Sequence, residues 1–395
     1  MRIAICTNFV SPYRAPVFAE LARQTGFAVR VLTSTGMERD RDWTPCHDPG
    51  CHYEIVQSLS ITRLRTQRSA GDSGFEQTLE RHYPIGLVTD LLRYRPDVII
   101  SGELGPRTLI ATVAGRLTGA PVIPWTYHPT AQSTVAESGA GLKKMLAKYA
   151  PAVIGMGTQA REVLTRMGCH RDRIFDAWNA ADSASVTRRQ NCDQHRISVS
   201  AIRERVGGKR LAVVAGRLVE MKGIKELLRA WSQLPTCIRA GWELVFIGSG
   251  PLKSLIDTWD DPSVRSIGSV SPEHMVDWYT AADLHIFASL GDPWGLVVNE
   301  AMQCGTPTLC SVRAGCADDL VHDRCNGLLF DPMAPTDRVA RSLIQALSHP
   351  CLEQLGSAAK LDIARVTPNS MASGMAAAIR FVMGERSQKQ ERTAA

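Results

Sequence analysis

The stretch GDPWGLVVNEAMQCGTP, from Gly291 to Pro307, places two acids at either end of an apolar run. The run reads as a helix that Gly305 and Pro307 end. Asp292 falls just before the expected helix start, where a carboxylate caps free amides and is favoured by the helix dipole. Glu300 lies between LVV and AM, in a segment expected to be largely buried. A buried carboxylate needs a partner, and a vicinal diol such as a ribose offers two hydroxyl donors. Two cations stand upstream. In GRLVEMKG, Arg217 and Lys222 share a loop with Gly216 and Gly223, after a strand-like run and before a helix. Two cations at a helix N-terminus suit a dianion such as a diphosphate. Taken alone, they also read as solvated charge at a strand end. FIGSGP adds a turn with Gly248 and Gly250 after another strand. In SVRAGCADDL, Ala314 and Gly315 precede a helix, and backbone amides there could hold a phosphate oxygen.

These residues need elements to carry them. Short runs rich in Val and Ile alternate with helical patterns, as in parallel α/β folding. In the first half the strand candidates are Arg2–Cys6, Val29–Ser34, Asp97–Gly102, Pro121–Tyr127 and Ala152–Gly157. Helical patterns such as Ala15–Gln24 and Pro106–Leu117 lie between them. The polar interval DSASVTRRQNCDQHRISVS reads as the passage between domains. The alternation restarts with Arg210–Leu218, Trp242–Gly250, Val264–Val270, Asp283–Ser289, Pro307–Val312 and Gly327–Asp331. The expected fold class is therefore α/β, with two consecutive Rossmann-like, doubly wound domains facing across a cleft. Their expected bounds are 1–182 and 183–375, with a final helix and polar tail at 376–395. Ligands of such sheets bind beyond the carboxyl ends of the strands, and all the motifs above fall there.

Bulk properties narrow the class. The chain has 395 residues, 44% of them apolar and 21% charged, as in ordinary globular proteins. No apolar run reaches the length that spans a bilayer. The opening MRIAICTNFV lacks the pattern of a secretory leader, so a cytoplasmic location is expected. Eleven Cys cannot all pair internally, in keeping with reduced thiols. CHDPGCH holds Cys46, His47, Cys51 and His52, either zinc-type ligands at short spacing or a turn around Pro49 and Gly50. The net charge is +6. ITRLRTQR, with Arg63, Arg65 and Arg68, reads as a solvated loop or helix face, or as a patch for anionic lipid or a phosphorylated acceptor. No nucleic acid is expected as a partner, since basic residues are not gathered with interleaved aromatics. In GLKKMLAKYA, Leu142, Met145, Leu146 and Tyr149 share a helical face, and Lys143, Lys144 and Lys148 turn away from it. The segment suits either a packed surface helix or contact with an anionic membrane.

The order GR…KG, GSGP, DPWGLVVNEAMQCGTP and AGCADDLV…NGLLFDP resembles the retaining glycosyltransferases of family 4, with the GT-B fold. The resemblance is strong over Leu211–Asp331 and weaker before it. It implies transfer of a sugar from a nucleotide-sugar to an acceptor hydroxyl with retention of configuration, a hexosyltransferase-type reaction without metal or other cofactor. Arg217 and Lys222 would grip the diphosphate and Glu300 the ribose. Asp292 and the amides from Trp294 through Gly295 to Leu296 would face the donor sugar. The family normally has Glu where this chain has Asp292, and Gly-Gly where it has Ala314-Gly315. SPYR recurs in some members, which makes Ser11, Tyr13 and Arg14 acceptor-side candidates. His128 in TYHPT would face the donor sugar from the first domain. The acceptor would be a saccharide or a lipid-linked saccharide of bacterial polysaccharide, lipopolysaccharide or glycolipid synthesis. The rival readings are a non-catalytic scaffold that only binds nucleotide, and a transferase for a soluble small molecule. The loop after the first strand lacks the G-x-G-x-x-G turn of a dehydrogenase.

Overall fold

The computed structural model describes residues 1–37, 50–69, 72–126 and 140–394. The chain forms two compact units, one of Met1–Ala180 with Thr367–Ala395, the other of Ala181–Val366. In the first unit, β1 (Arg2–Thr7), β2 (Ala28–Thr33) and β3 (His52–Ile55) are followed by a hairpin of β4 (Leu59–Ser69) and β5 (Asp72–Tyr83). Then come β6 (Val98–Gly102), β7 (Val122–Thr126), β8 (Val153–Gly155) and β9 (Ile174–Asp176). The sheet runs β3-β2-β1-β6-β7-β8-β9, with every pair parallel. Strands of a parallel sheet are covered on both faces, and so carry unbroken apolar runs. Ile3, Ala4, Ile5 and Cys6 of β1 are all fully buried.

The five expected strands of this unit are present, each within two residues of its expected ends. Strands β3, β4, β5 and β9 were not expected. β9 has three residues and β3 is half exposed, so neither carries a long apolar signal. ITRLRTQR is neither loop nor helix. It lies in β4, paired antiparallel with β5, where Arg63 stands opposite Leu79 and Arg65 opposite Gln77.

The second unit holds β10 (Arg210–Ala215), β11 (Trp242–Ile247), β12 (Val264–Gly268), β13 (Leu284–Phe287), β14 (Thr308–Ser311) and β15 (Leu328–Phe330). All six were expected, and their order is β12-β11-β10-β13-β14-β15. The strand order reverses between β10 and β13, which makes their carboxyl ends the switch point where such sheets bind ligands. The expected strands ran on past the ends of most of these. Residues such as Gly216 and Leu218 belong to the loops instead.

The polar interval after Ala181 is not a linker. It forms helices Ser183–Gln190 and Asp193–Val206, and the Asp182 carboxylate caps the first by accepting from the Ser185 amide at 3.1 Å. Two of its polar residues satisfy a buried acid. Arg189 Nε at 2.9 Å and His195 Nδ1 at 2.6 Å both donate to Oδ1 of Asp277, which is 1% exposed in helix Pro272–Ala281. Burial raises the Asp277 pKa, but the hydrogen bonds and charge of Arg189 and His195 outweigh it and leave the group below its ordinary value.

The end of the chain also differs from the expected bounds. Thr367 onward joins the first unit, not the second. Helix Pro368–Ala394 lays Met371, Ala372, Met375, Ala376 and Ile379 into buried positions. Gly374 lies so close to the Asp176 carbonyl that a Cβ would collide with it. Phe381 meets Phe175 at 5.3 Å between ring centroids. A helix of small apolar residues shows in the sequence that it must be buried, but not against which sheet.

His285 in β13 is fully buried, with Nδ1 3.3 Å from Thr308 Oγ1 and Nε2 without a partner among the described residues. Burial depresses its pKa to about 3. A histidine that is neutral in the fold and protonated once unfolded stabilises fully above its ordinary value of 6.5. That contribution is lost as the pH falls from there towards about 3. Each pH unit in that window costs about 1.4 kcal/mol. Urea unfolding should therefore show a fall in stability between about pH 7 and about pH 5 that His285→Gln reduces by about 2 kcal/mol. An equal fall in both proteins would show that His285 is not the group that titrates.

Candidate functional site

Three loops leave the carboxyl ends of β10, β13 and β14, and they carry most of the expected site residues. The first runs from Gly216 through the turn Glu220–Lys222 to Gly223 and into helix Ile224–Ser232. It is fixed by its neighbours. The Gly216 amide donates to Ile247 O at 3.0 Å, the Leu218 amide to Ser249 O at 2.7 Å, and the Leu252 amide to Leu218 O at 3.0 Å. Gly248 and Gly250 are pressed onto the carbonyls of Gly216 and Leu218, where any Cβ would collide. Those glycines thus have a packing reason to be where they are.

The second loop, Ala288–Gly295, leads into helix Leu296–Cys304. It is tied to the first, since Ser289 Oγ at 3.0 Å and the Leu290 amide at 2.8 Å both donate to Met221 O. The tie brings Lys222 Nζ onto Asp292 Oδ2 in a charge-assisted hydrogen bond. Both side chains are mostly buried, 19% and 15% exposed. The Lys222 ammonium also stands 5.1 Å from the centroid of the Phe287 ring. Burial acts to raise the Asp292 pKa, yet the charge and hydrogen bond of Lys222, the Trp294 amide and the Arg217 charge prevail and lower it. Asp292 is therefore a carboxylate.

Asp292 does not cap the helix. Its Oδ1 accepts from the Trp294 amide at 3.0 Å, closing a turn before the helix begins at Leu296. The cap position is held by Gly295, with φ 101° and no side-chain acceptor. The first amides of the helix therefore have no side-chain cap, the arrangement that favours an anionic or polar ligand. The Trp294 indole is buried and donates to Asn299 Oδ1 at 2.9 Å, so both N–H donors of Trp294 are engaged inside the chain.

The third loop corrects another expectation. Among Ala314 to Ala317, the Gly315 amide donates to Asp292 O at 2.9 Å and the Cys316 amide to Trp294 O at 3.0 Å. The Ala314 amide donates to Ser311 O at 3.1 Å and the Ala317 amide to Ala314 O at 3.0 Å. These amides are engaged inside the chain and form no phosphate cradle. They hold the Asp292–Trp294 segment in place. Gly315 lies against the Pro293 carbonyl, where a Cβ would collide.

Glu300 sits one turn and more into its helix, and it is half-buried, not buried as expected. Tyr279 Oη donates to Glu300 Oε2 at 3.2 Å. Tyr279 is itself 1% exposed and stands edge-on to His285, with 5.5 Å between centroids. The sequence reading missed Tyr279, because only tertiary packing brings helix Pro272–Ala281 beside helix Leu296–Cys304.

In the first unit, Ser11, Tyr13 and Arg14 lie at the turn that starts helix Ala15–Thr25, where the Arg14 amide donates to Ser11 O at 2.9 Å. The Arg14 guanidinium stacks over Trp125 at 4.2 Å and approaches Met371 Sδ at 3.5 Å and Met156 Sδ at 3.7 Å. It thus helps to hold the last helix on this unit. Beyond the carboxyl end of β6, Glu103 takes a positive φ of 69°, uncommon for a residue with a side chain, and is exposed. It is a further polar candidate on the edge where such sheets bind ligands, flagged in the sequence only by the glycines around it in SGELGP. His128 lies outside the described residues, as do Cys46 and His47. Among the described residues, no group of three or more His, Cys, Asp or Glu side chains is placed to hold a metal ion.

Comparison with known proteins finds similar sequences and folds. Residues 198–362 match the model of the family described as Glycosyl transferases group 1. That span lies within the second unit and carries Arg217, Lys222, Asp292 and Glu300. The whole chain shares the fold of Anabaena Alr3699/HepE, solved in complex with UDP. The TM-score is 0.71 at 16% identity, covering 96% of this chain and 100% of that one. The sulfoquinovosyl transferase SQD2 of Arabidopsis thaliana is 23% identical over 287 residues, 69% of this chain and 54% of that protein. A D-inositol 3-phosphate glycosyltransferase of Xylanimonas cellulosilytica is 28% identical over 207 residues, 49% of this chain and 48% of that protein. The chain thus spans about half the length of these two relatives.

Removing Lys222 leaves the Asp292 carboxylate without its main counter-charge. Lys222→Ala is expected to lower unfolding free energy by about 1.5–3 kcal/mol and to raise the Asp292 pKa. Urea titration and side-chain carboxyl NMR would measure the two effects. An unchanged stability with an unchanged Asp292 titration would show that the pair does not form in solution.

Proposed function

We propose that this chain is a retaining glycosyltransferase that moves a sugar from a nucleotide-sugar to an acceptor hydroxyl. The observation that carries the reading is the Lys222–Asp292 pair, with Arg217 close by, at the switch point of the second sheet and in front of an uncapped helix N-terminus. In this reading Lys222 and Arg217 take the donor diphosphate, and Asp292 keeps Lys222 extended towards it. When the bond from anomeric carbon to phosphate oxygen breaks, the electron pair stays on the phosphate. The two cations stabilise that charge, and the acceptor proton passes to the departing phosphate oxygen. Fixed cations aimed at developing charge each change rate by about 10²–10³. Glu300, oriented by Tyr279, accepts from the ribose hydroxyls. The main-chain groups around Gly295 and Leu296 face the donor sugar. HepE, whose crystals also hold UDP-glucose, supports a nucleotide-sugar as the donor.

No metal or other cofactor takes part in this reading. The acceptor is a saccharide or lipid-linked saccharide of a bacterial polysaccharide, lipopolysaccharide or glycolipid. The O-antigen chain mannosyltransferase B of Escherichia coli, 25% identical over 212 residues, 50% of this chain and 55% of that protein, supports that class.

A panel of nucleotide-sugars, scored for transfer or slow hydrolysis, is the direct test. A folded chain that binds nucleoside diphosphates and turns over none of the panel would favour a binding scaffold instead. With a donor in hand, Lys222→Ala is expected to lower turnover by about two to three orders of magnitude. Glu300→Gln should weaken nucleoside diphosphate binding by about tenfold, or 1.4 kcal/mol, as read by calorimetry. An unaltered affinity would make Glu300 a structural acid. Activity should persist in EDTA, and its loss with recovery in magnesium or manganese would overturn the metal-free reading.

A further inference from the structure

We propose that one face of the first unit, built from helices Pro106–Thr118 and Ala140–Tyr149, docks on an anionic lipid bilayer. Each helix already has a face that packs inward. Ala111 and Ala114 of the first belong to the core with Ile99 and Val122. Leu146, Ala147 and nearby Ala150 join Leu104, Val153 and Leu164 in another. The grouping expected from the sequence, with Leu142, Met145, Leu146 and Tyr149 on one face, therefore divides. Leu146 is buried, while Met145 and Tyr149 point outward.

A second apolar face remains outside. Leu109, Val113 and Leu117 form a stripe one helical turn apart, 38%, 47% and 66% exposed. Met145 and Tyr149 form another, 44% and 72% exposed. Leu109, Val113, Met145 and Tyr149 line one groove of about 870 Å³, and Leu117 continues the first stripe by a further turn. Four of the fourteen exposed large apolar side chains among the described residues thus line a single groove, so the clustering is not the scatter expected of a surface.

Charge decides what covers them. Arg116 and Arg386 line the same groove, against Glu385. Lys144 and Lys148 are exposed on the second helix, each next in sequence to an outward apolar residue. Lys148 Nζ stands 5.5 Å from the Tyr149 ring centroid. Apolar side chains beside long cations and an aromatic ring match the boundary of a membrane, where stems lie in the acyl region and charges reach the headgroups. No helix among the described residues is long and apolar enough to cross a bilayer, so the contact is with the surface.

This inference does not depend on the transfer reaction, and its test reads binding alone. The full chain is mixed with vesicles of phosphatidylcholine, with or without phosphatidylglycerol, and separated by flotation. Affinity for the anionic vesicles should be at least about tenfold higher and should fall with salt. Leu117→Glu with Tyr149→Glu should lower it by about tenfold or more, and Lys144→Glu with Lys148→Glu should do the same without touching an apolar group. Leu361→Glu, at an apolar residue 79% exposed in the other unit, should leave binding unchanged. Circular dichroism and thermal melting confirm that each variant is folded. Equal binding to both vesicle types, or full binding by both double variants, overturns the proposal. So does a dimer that the same variants dissociate while vesicles are ignored, which would give the face to a second copy of the chain.

Discussion

The contact between Lys222 and Asp292 joins residues far apart in sequence, and the second unit is organised around making it possible. A lysine and an aspartate that are both mostly buried need each other, because either charge alone would be costly in that setting. To bring them together, the loop after β10 must bind the loop after β13, and Met221 O accepts two hydrogen bonds for that purpose. The loop after β14 must then hold the Asp292 segment from behind, and it uses the amides of Gly315 and Cys316. The close approaches at Gly248, Gly250 and Gly315 are the steric side of the same requirement. A parallel sheet delivers three such loops to one edge, so the pair sits where the strand order reverses.

The same unit supports its second acid differently. Glu300 takes a hydrogen bond from the Tyr279 phenol. A phenol donor orients the carboxylate while leaving it a strong acceptor. Behind the tyrosine lies His285, kept neutral by burial. Asp292 and Glu300 look alike in sequence, yet the first is met by the Lys222 ammonium and the second by the Tyr279 phenol.

Both units also rely on segments whose role is hidden by composition. Helices Ser183–Gln190 and Asp193–Val206 carry Arg189 and His195, which satisfy Asp277, and a polar helix with such partners looks like a linker when read alone. The last helix crosses back to the first unit, where Arg14 bridges Trp125 and Met371. An arginine that looks like a ligand-binding residue from its loop position is at least partly a packing residue.

The sequence by itself determined what depends on local chemistry. Runs of β-branched residues can satisfy a strand only when covered on both faces, so all the longer parallel strands of both sheets were legible. Gly and Pro mark where those strands and helices stop, so the loops bearing Arg217, Lys222 and Asp292, and the helix bearing Glu300, were legible too. Short or half-exposed strands such as β3 and β9 were not, since they bury too little to leave a pattern. The tertiary structure alone decided which groups meet. It paired Lys222 with Asp292, turned the Gly315 amide inward, placed Tyr279 on Glu300 and sent the final helix to the first unit. Pairing across long stretches of chain depends on the shape of the whole packed sheet, and no local pattern of residue types encodes it.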